Sequence, residues 1–263
     1  MNRTGFLPRT MPTLAELCRH LDDHLRVHEV ADYANALNGL QLENDGGVSR
    51  VAAAVDASLS TVRAAVAAGC DLLLVHHGLY WHGLQPMTGN RRELFRRAMA
   101  GNLAIYSAHL PLDTGEEGNS TLLARACFPS VAWRPFFDVK GTPIGCRARL
   151  DESIQRDAAA AVLTRAVDGP VRVCPGGPGW VREIGVITGA AGSEVRRVAE
   201  EGIDTFLTGE GPHWTYALAE EVGVNVLYGG HYATETFAVK KLAAHVGERF
   251  GLPWEFIPMP TGL

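Results

Sequence analysis

Residues 51–78, VAAAVDASLSTVRAAVAAGCDLLLVHHG, decide the fold, because they read as a strand, a helix and a second strand. VAAAVD is a short apolar run, LSTVRAAVAAG has helical spacing and ends at Gly69, and DLLLV is a second apolar run. A further helix at 90–102 and a strand at 103–109 continue the alternation. This pattern is typical of a parallel or mostly parallel sheet with helices on its faces, so the sequence predicts an α/β fold.

The same pattern returns in the second half of the chain. Residues 184–211, IGVITGAAGSEVRRVAEEGIDTFLTGEG, match residues 51–78 element for element and without a gap. Part of this likeness would be shared by any two α/β units, but its extent indicates an internal duplication. We therefore predict two similar α/β lobes, residues 1–130 and residues 131–263, joined near 131–150. The second lobe is expected to open on a helix at 152–167.

Composition excludes several classes of protein. A net charge of −5 disfavours a general nucleic-acid binder, and no window reaches the about 20 apolar residues of a membrane helix. The first ten residues, MNRTGFLPRT, lack the apolar run of a secretory signal. The five cysteines form no C-x-x-C pair, which favours a reducing, cytoplasmic location. They are Cys18, Cys70, Cys127, Cys146 and Cys174.

The second strand of the opening stretch runs directly into His76 and His77. Neighbouring side chains of a strand point to opposite faces, so both imidazoles cannot line one site while the strand stays extended. We predict that the strand ends at the pair and that the chain turns at Gly78. Both rings would then face the space beyond the carboxyl end of the sheet, where α/β folds bind ligands. The alternative is a buried His76 and a solvated His77.

Two later segments also place histidine and carboxylate just after a strand. SAHLPLD (107–113) carries His109 and Asp113, and GGHYATE (229–235) carries His231 and Glu235. Buried carboxylates are costly unless a metal or a partner compensates their charge. Imidazole and carboxylate without thiolate suit zinc, iron, manganese, cobalt or nickel, and the set is large enough for two ions. Four other histidines are interpreted as bystanders on the first and last helices: His20, His24, His28 and His245.

Five motifs lie in order along nearly the whole chain: NGLQ (38–41), DLLLVHHGLYW (71–81), SAHLPLD (107–113), LTGEGPHW (207–214) and GGHYATE (229–235). With them the sequence resembles the NGG-interacting-factor-three-like family, also known as GTP cyclohydrolase I type 2 homologues or dinuclear metal centre hexameric proteins. The resemblance implies two duplicated α/β lobes, a pair of metals in the cleft between them and a toroidal homo-hexamer. The short connection at 131–150 indicates that no extra domain is inserted between the lobes.

The resemblance also implies roles for single residues. His77 and Asp113 would hold one divalent ion, His76 and His231 would hold the other, and Glu235 would bridge them. His109 would lie next to the ions or face the substrate. Family members often have an aspartate where this chain has Glu210, so Glu210 and His213 are expected only as cleft residues.

The leading functional hypothesis is a metal-dependent hydrolase in which the ions activate a water. The family resemblance suggests a nucleotide as its small-molecule substrate, through attack at C8 of the guanine of GTP, with His109 or His213 carrying a proton. The sequence itself shows neither a guanine pocket nor a phosphate loop. The alternatives are a metal-binding or metal-delivery protein, and a hexameric scaffold that uses a basic helix face at Arg91, Arg92, Arg96 and Arg97.

Overall fold

The computed structural model describes residues 11–263, so the expectation for the first ten residues lies outside it. Over this range the helices are α1 (Leu14–His24), α2 (Leu59–Ala67), α3 (Gly89–Ala100), α4 (Asn119–Cys127), α5 (Arg156–Val167), α6 (Val195–Glu200), α7 (Thr215–Val222), α8 (His231–Thr234) and α9 (Thr236–Phe250). The strands are β1 (Gly39–Leu42), β2 (Val51–Asp56), β3 (Leu72–His77), β4 (Ala104–Ser107), β5 (Arg134–Val139), β6 (Thr142–Gln155), β7 (Arg172–Pro175), β8 (Trp180–Val186), β9 (Thr205–Thr208), β10 (Asn225–Tyr228) and β11 (Trp254–Phe256). The predicted α/β class is confirmed.

The first sheet has the order β1-β4-β3-β2-β11. Its strands are parallel except for the edge strand β1, as the alternation of strands and helices predicts. Both faces are buried: α1 and α9 pack on one of them, and α2 and α3 pack on the other. Burial on both faces explains why β2 and β3 are continuous apolar runs rather than alternating ones.

The second sheet, with the order β5-β6-β8-β9-β10-β7, is more mixed than predicted. Only β8, β9 and β10 are parallel neighbours, while β5, β6 and β7 pair antiparallel. The segment 131–150 is therefore not a plain connection, because it supplies the β5–β6 hairpin. The helix predicted from residue 152 begins at Arg156, since residues 152–155 remain part of β6.

The repeated stretches adopt matching structures. β2, α2 and β3 in the first sheet correspond to β8, α6 and β9 in the second, and each trio is followed by a third parallel strand, β4 or β10. An antiparallel strand, β1 or β7, pairs with that third strand in each case. The shared order agrees with the predicted repeat, while the duplication itself stays a prediction.

Two helices cross between the halves of the chain, and the predicted domain boundaries stay a prediction. α4 follows β4 of the first sheet, but Leu123 and Ala124 on it pack in the core of the second sheet. α9 follows the second sheet, but Val239 and Leu242 on it pack against the first, and β11 pairs with β2. The ranges 1–130 and 131–263 therefore separate most of the strands but not the helices that cover them. Amphipathic spacing shows that a helix has an apolar face, not which sheet that face covers.

The five cysteines are all buried and unbridged, and they lie in the hydrophobic cores rather than at a polar cluster. Burial raises the pKa of the Cys127 and Cys146 thiols to about 12. Within residues 11–263, no helix is both long enough and apolar enough to cross a membrane. The cytoplasmic location stays a prediction.

Candidate metal centre

The two adjacent histidines reach one site as the last two residues of β3, so the strand ends at the pair as predicted. β3 pairs with β4 only as far as Val75, and beyond it His77 pairs with Asp56 of β2. β4 therefore does not pair with the end of β3 that carries the two imidazoles, and the centroids of these rings lie 4.7 Å apart. Gly78 is needed for close packing, because a Cβ there would lie 2.6 Å from the Ser107 hydroxyl.

The carboxylates are brought to the histidines by the two crossing helices. Asp113 lies just before α4, and Glu235 lies immediately before α9. Asn119 of α4 links the two crossings, because its side chain donates to Asp113 Oδ1 at 2.9 Å and accepts from the Ala238 amide of α9 at 2.8 Å. The exchange of helices therefore fixes both carboxylates at one point between the sheets.

All five predicted metal ligands lie together. Glu235, only 4% exposed, is central: its Oε1 lies 3.5 Å from Nε2 of His76, and its Oε2 lies 3.5 Å from Nε2 of His77 and 3.1 Å from Nε2 of His231. Asp113 Oδ2 is 3.7 Å from Nε2 of His76. These buried histidine and glutamate groups could hold a metal ion.

The distances pair the ligands differently from the pairing that the family resemblance implied. His76 lies with Asp113, and His77 lies with His231, the rings of the latter pair being 5.4 Å apart. The alternation of side chains along β3 explains this correction, since His76 turns toward the segment after β4 and His77 turns toward the second half of the chain. Glu235 keeps its predicted central place, with one oxygen toward each pair.

Each imidazole of the centre is fixed by a hydrogen bond at Nδ1. His76 donates to the Ala108 carbonyl at 3.2 Å and His77 to Asp56 at 2.9 Å. His109 donates to Asp32 at 2.9 Å and His231 to Glu210 at 2.7 Å. A carbonyl or carboxylate can only accept, so in all four rings Nδ1 carries the proton and Nε2 is left toward the centre. Histidines that bind metals are commonly held in this way.

The atoms that converge have no partner to satisfy them. Among the described side chains, Nε2 of His76 and Oε2 of Glu235 are buried without a hydrogen bond. A lone pair on Nε2 that faces the lone pairs of a carboxylate is repelled, unless a cation lies between them or the nitrogen takes up a proton. The residues present therefore fit a divalent cation, because these buried and unpaired atoms require a positive charge between them.

The pKa shifts of these residues also show that the centre favours positive charge. Burial disfavours a charged His76, but Asp113 and Glu235 outweigh it and raise the pKa of His76 to about 9. Burial likewise opposes charge on His231, but Glu235 and Glu210 raise its pKa to about 9. Burial alone would raise the pKa of Glu235, yet His76 and His231 hold it well below its ordinary value.

The pKa values of His77 and Asp113 shift in the direction that burial favours. The pKa of His77 is lowered by burial, which outweighs its hydrogen bond to Asp56. Burial also raises the pKa of Asp113. The charge of the centre is therefore concentrated on Glu235 and on the two imidazoles whose pKa is raised, His76 and His231.

A pH dependence follows for protein stripped of metal by a chelator. The folded-state pKa values of His76 and His231 lie above the ordinary 6.5, so their stabilisation is complete below pH 6.5 and is lost as the pH rises through 9. We expect the free energy of unfolding to fall by several kcal/mol over this range, at about 1.4 kcal/mol per pKa unit. Urea unfolding in chelator at pH 6.5, 7.5 and 9 measures it, and a stability that does not change would contradict it.

The two predicted proton carriers have different surroundings. His109 is 8% exposed, and its ring lies 4.9 Å from that of His76 and 4.3 Å from that of Trp81. With His76 and His77 it forms a further group of imidazoles close enough to hold an ion. His213 is exposed, and it lines neither of the cavities beside the centre. His109 therefore lies next to the centre and His213 lies away from both cavities, while their roles as proton carriers stay predictions.

Three supporting residues were not predicted. Asp32 and Asp56 accept from His109 and His77, and Asn119 positions Asp113. The sequence could have indicated Asp56, because this carboxylate ends the apolar strand β2 that neighbours β3. Asp32 had none, since it is distant in sequence from His109, and Asn119 had none, since no local pattern marks the side chain of α4 that turns back to Asp113. Glu210 was expected only in the cleft, and it accepts from His231.

Two cavities open beside the centre and share His77, Trp81 and His231. One, of about 240 Å³, is also lined by His109, Asp113 and Glu235. The other, of about 440 Å³, extends toward α3 and Arg91. The indole of Trp81 stacks on His77 with 4.8 Å between ring centroids. A small molecule in either cavity would contact the side chains of the centre.

Comparison with known proteins gives a consistent result. Residues 12–261 match the family model described as Duf34/NIF3 (NGG1p interacting factor 3). A protein of Deinococcus radiodurans named GTP cyclohydrolase 1 type 2 homolog is 39% identical over 249 residues, covering 94% of each chain. A protein of the same name from Archaeoglobus fulgidus is 38% identical over 251 residues, covering 95% of this chain and 99% of its own.

Solved structures agree with the fold over almost the full chain. The crystal structure of TTHA1606 from Thermus thermophilus has a TM-score of 0.86 at 38% identity, covering 95% of this chain and all of that one. The protein ybgI, described as of unknown function, has a TM-score of 0.88 at 28% identity with the same coverage.

Proposed function

The chain belongs to the Duf34/NIF3 family, and from that membership we propose that it is a dinuclear metal-dependent hydrolase acting on a small molecule. The observation that carries the proposal is the common orientation of the histidines, each with Nδ1 bound to an acceptor and Nε2 directed to the Glu235 carboxylate, whose Oε2 is buried without a hydrogen bond. The residues that would hold two divalent ions, such as zinc, iron or manganese, are His76, His77, Asp113, His231 and Glu235.

A pair of bound divalent ions would supply Lewis acidity and lower the pKa of a water. Glu235 would lie between the ions, because its oxygens face opposite pairs of ligands. Asp56, Ala108 and Glu210 would hold the ligand rings in place through Nδ1.

His109 would be the proton carrier. Its Nδ1–H is bound to Asp32, so Nε2 is the atom at which it can take a proton from water and return it to a leaving group. Asp32 would stabilise the charged ring while it holds the proton, as a carboxylate behind a histidine does in other hydrolases. The buried position of His109 at the wall of the smaller cavity supports this role.

The finer proposal is a nucleotide substrate whose purine ring is opened by water. The name of the relatives, GTP cyclohydrolase 1 type 2 homolog, supports it. The cavities of about 240 and 440 Å³ and the half-buried ring of Trp81, which lines both, suit a small planar molecule. The family resemblance also suggests a toroidal homo-hexamer, which measurement of the mass in solution would test.

The structure gives less support to a basic scaffold. Arg96 and Arg97 both pair with Glu93 at 2.7 Å, which neutralises part of the basic face. Arg91 is turned inward, where it donates to the Leu79 carbonyl and lines the larger cavity. The net positive charge of the predicted binding face is therefore smaller than its four arginines suggest.

The test is a screen of the metal-reconstituted protein against GTP, other nucleotides and other small hydrolysable compounds, with products identified by mass spectrometry. We expect metal-dependent turnover that falls at least 100-fold in His109→Gln, in line with loss of a general acid–base group. His213→Gln is the matched control and should keep full activity, because His213 is exposed and away from the cavities. Absence of turnover, together with rapid transfer of metal to an apo acceptor, would replace this proposal with metal delivery.

A further inference from the structure

The larger cavity beside the candidate metal centre has an arginine, Arg91, in its wall. Among the described residues that line this cavity, it is the only lysine or arginine. The two acidic side chains of the same lining, Asp56 and Glu210, accept hydrogen bonds from the ligand histidines His77 and His231. The carboxylates of the cavity are therefore engaged at the centre, and the charge of Arg91 is left for another partner.

The guanidinium of Arg91 is held at the cavity by three contacts. Its Nη1 donates to the Leu79 carbonyl at 3.1 Å. Its central carbon lies 5.5 Å from the centroid of the Phe95 ring and 5.9 Å from that of Tyr80, within the range of cation–π attraction. Leu79 and Phe95 both line the cavity, so the charged group lies at its wall rather than on the outer face of α3.

Arg91 forms no ion pair among the described residues, unlike Arg96 and Arg97 of the same helix, which both pair with Glu93. Its Nε is buried without a hydrogen bond, and an unpaired buried donor is costly. Nε–H and the neighbouring N–H of Nη2 form the fork with which arginine binds two oxygens of a phosphate or carboxylate. The bond to Leu79 uses Nη1, so it does not occupy this fork.

Arg91 lies within reach of a molecule bound at the centre. The Leu79 residue that holds it is two residues beyond His77, a span of at most about 7 Å between Cα atoms. His77, His231 and Arg91 all line the same cavity, whose volume of about 440 Å³ is typical of small-molecule sites. One small molecule can therefore contact the centre at one end and Arg91 at the other.

We propose that Arg91 determines substrate specificity by binding a phosphate group of the substrate, while the part of the molecule that reacts lies at His77 and His231. This inference rests on the proposed function, because a nucleotide substrate supplies the phosphate. A small rotation of the guanidinium between its aromatic neighbours would bring Nε and Nη2 to two phosphate oxygens. Arg91 would hold the substrate in place and would transfer no proton.

The test is isothermal titration of the metal-loaded protein with guanosine 5′-monophosphate and, separately, with guanosine. We expect the monophosphate to bind at least about tenfold more tightly, in line with hydrogen bonds between charged groups. Arg91→Gln should remove most of this preference while leaving the affinity for guanosine and the metal content unchanged. Arg91→Lys keeps the charge without the fork and should retain part of the preference.

Arg92→Gln is the matched control, because Arg92 is exposed on the same helix and lies outside the cavity lining. It should keep the full preference for the monophosphate. If Arg91→Gln does not fold, Arg91→Lys takes its place in the comparison. The inference is overturned if the unsubstituted protein binds both compounds alike, if the preference survives in Arg91→Gln because the ions hold the phosphate, or if Arg92→Gln loses it equally.

Mass spectrometry of the same samples reports turnover separately from binding. A preference that depends on Arg91 without any turnover supports the phosphate site and counts against the hydrolase. Metal-dependent turnover of a compound without phosphate, together with no binding of the monophosphate, overturns the phosphate site and leaves the hydrolase in place.

Discussion

Glu235→Gln should abolish tight metal binding while leaving the chain folded. The two carboxylate oxygens of Glu235 lie 3.5 Å from Nε2 of His76 and 3.1 Å from Nε2 of His231, on opposite sides of the centre. Glutamine has the same size, but it replaces one oxygen by a donor and removes a full negative charge. One substitution therefore removes the ligand atom of one proposed ion and leaves the other ion only a neutral amide oxygen. We expect metal affinity to fall more than 100-fold, beyond the 10- to 100-fold typical of residues that support a ligand.

The fold should survive because the change is isosteric and relieves part of a buried charge. Without that charge, His76 and His231 lose the carboxylate that raises their pKa, so fewer protons are needed to balance the centre. Elemental analysis after equilibration against buffered metal measures the affinity, and circular dichroism reports the fold. Glu248→Gln is the matched control, since Glu248 is exposed on the same stretch of helix and should bind metal normally. Retention of two ions at unchanged affinity in Glu235→Gln would contradict the proposed centre.

The residues that form the centre were predictable because they lie at strand ends. His76, His109 and His231 each lie at or just after the end of an apolar run, and the ends of parallel strands meet at one edge of a sheet. What the sequence does not encode locally is how two such edges come to face each other. That depends on α4 and α9 crossing between the halves, and the apolar stripe of each helix fits either sheet.

Two further features depend on packing in the same way. His213 lies two residues before α7 just as a site residue would, yet the turn there leaves it exposed. His20 and His245 seem unrelated in sequence, and they meet because α1 and α9 cover the same face of the first sheet. Local patterns identify elements and their ends, whereas contacts between distant elements require the packing.

Gly189→Ala should remove metal binding from a position that is not itself a ligand. Gly189 has φ +69°, and a Cβ built on it would overlap Oε1 of Glu235 and lie 3.3 Å from its Cδ. The backbone cannot retreat, because the Gly189 carbonyl accepts from the amides of Gly209 and Glu210, and its amide donates to Thr234. Glu235 is buried, so its carboxylate must leave the position between the histidines. Metal affinity should then fall by a factor similar to that in Glu235→Gln.

Gly202→Ala is the control that distinguishes the clash with Glu235 from the effect of backbone strain. Gly202 has φ +74°, but a Cβ there would meet nothing within 4 Å. Both alanine variants should lose about 1 kcal/mol of stability, because alanine is strained in the left-handed backbone conformation. The clash in Gly189→Ala should add little to this loss, since the group that it displaces is the end of a side chain. Only Gly189→Ala should lose metal, as measured by elemental analysis beside urea unfolding. Equal metal affinity in the two variants would mean that the position of the Glu235 carboxylate does not matter, and the bridging role proposed for it would have to be abandoned.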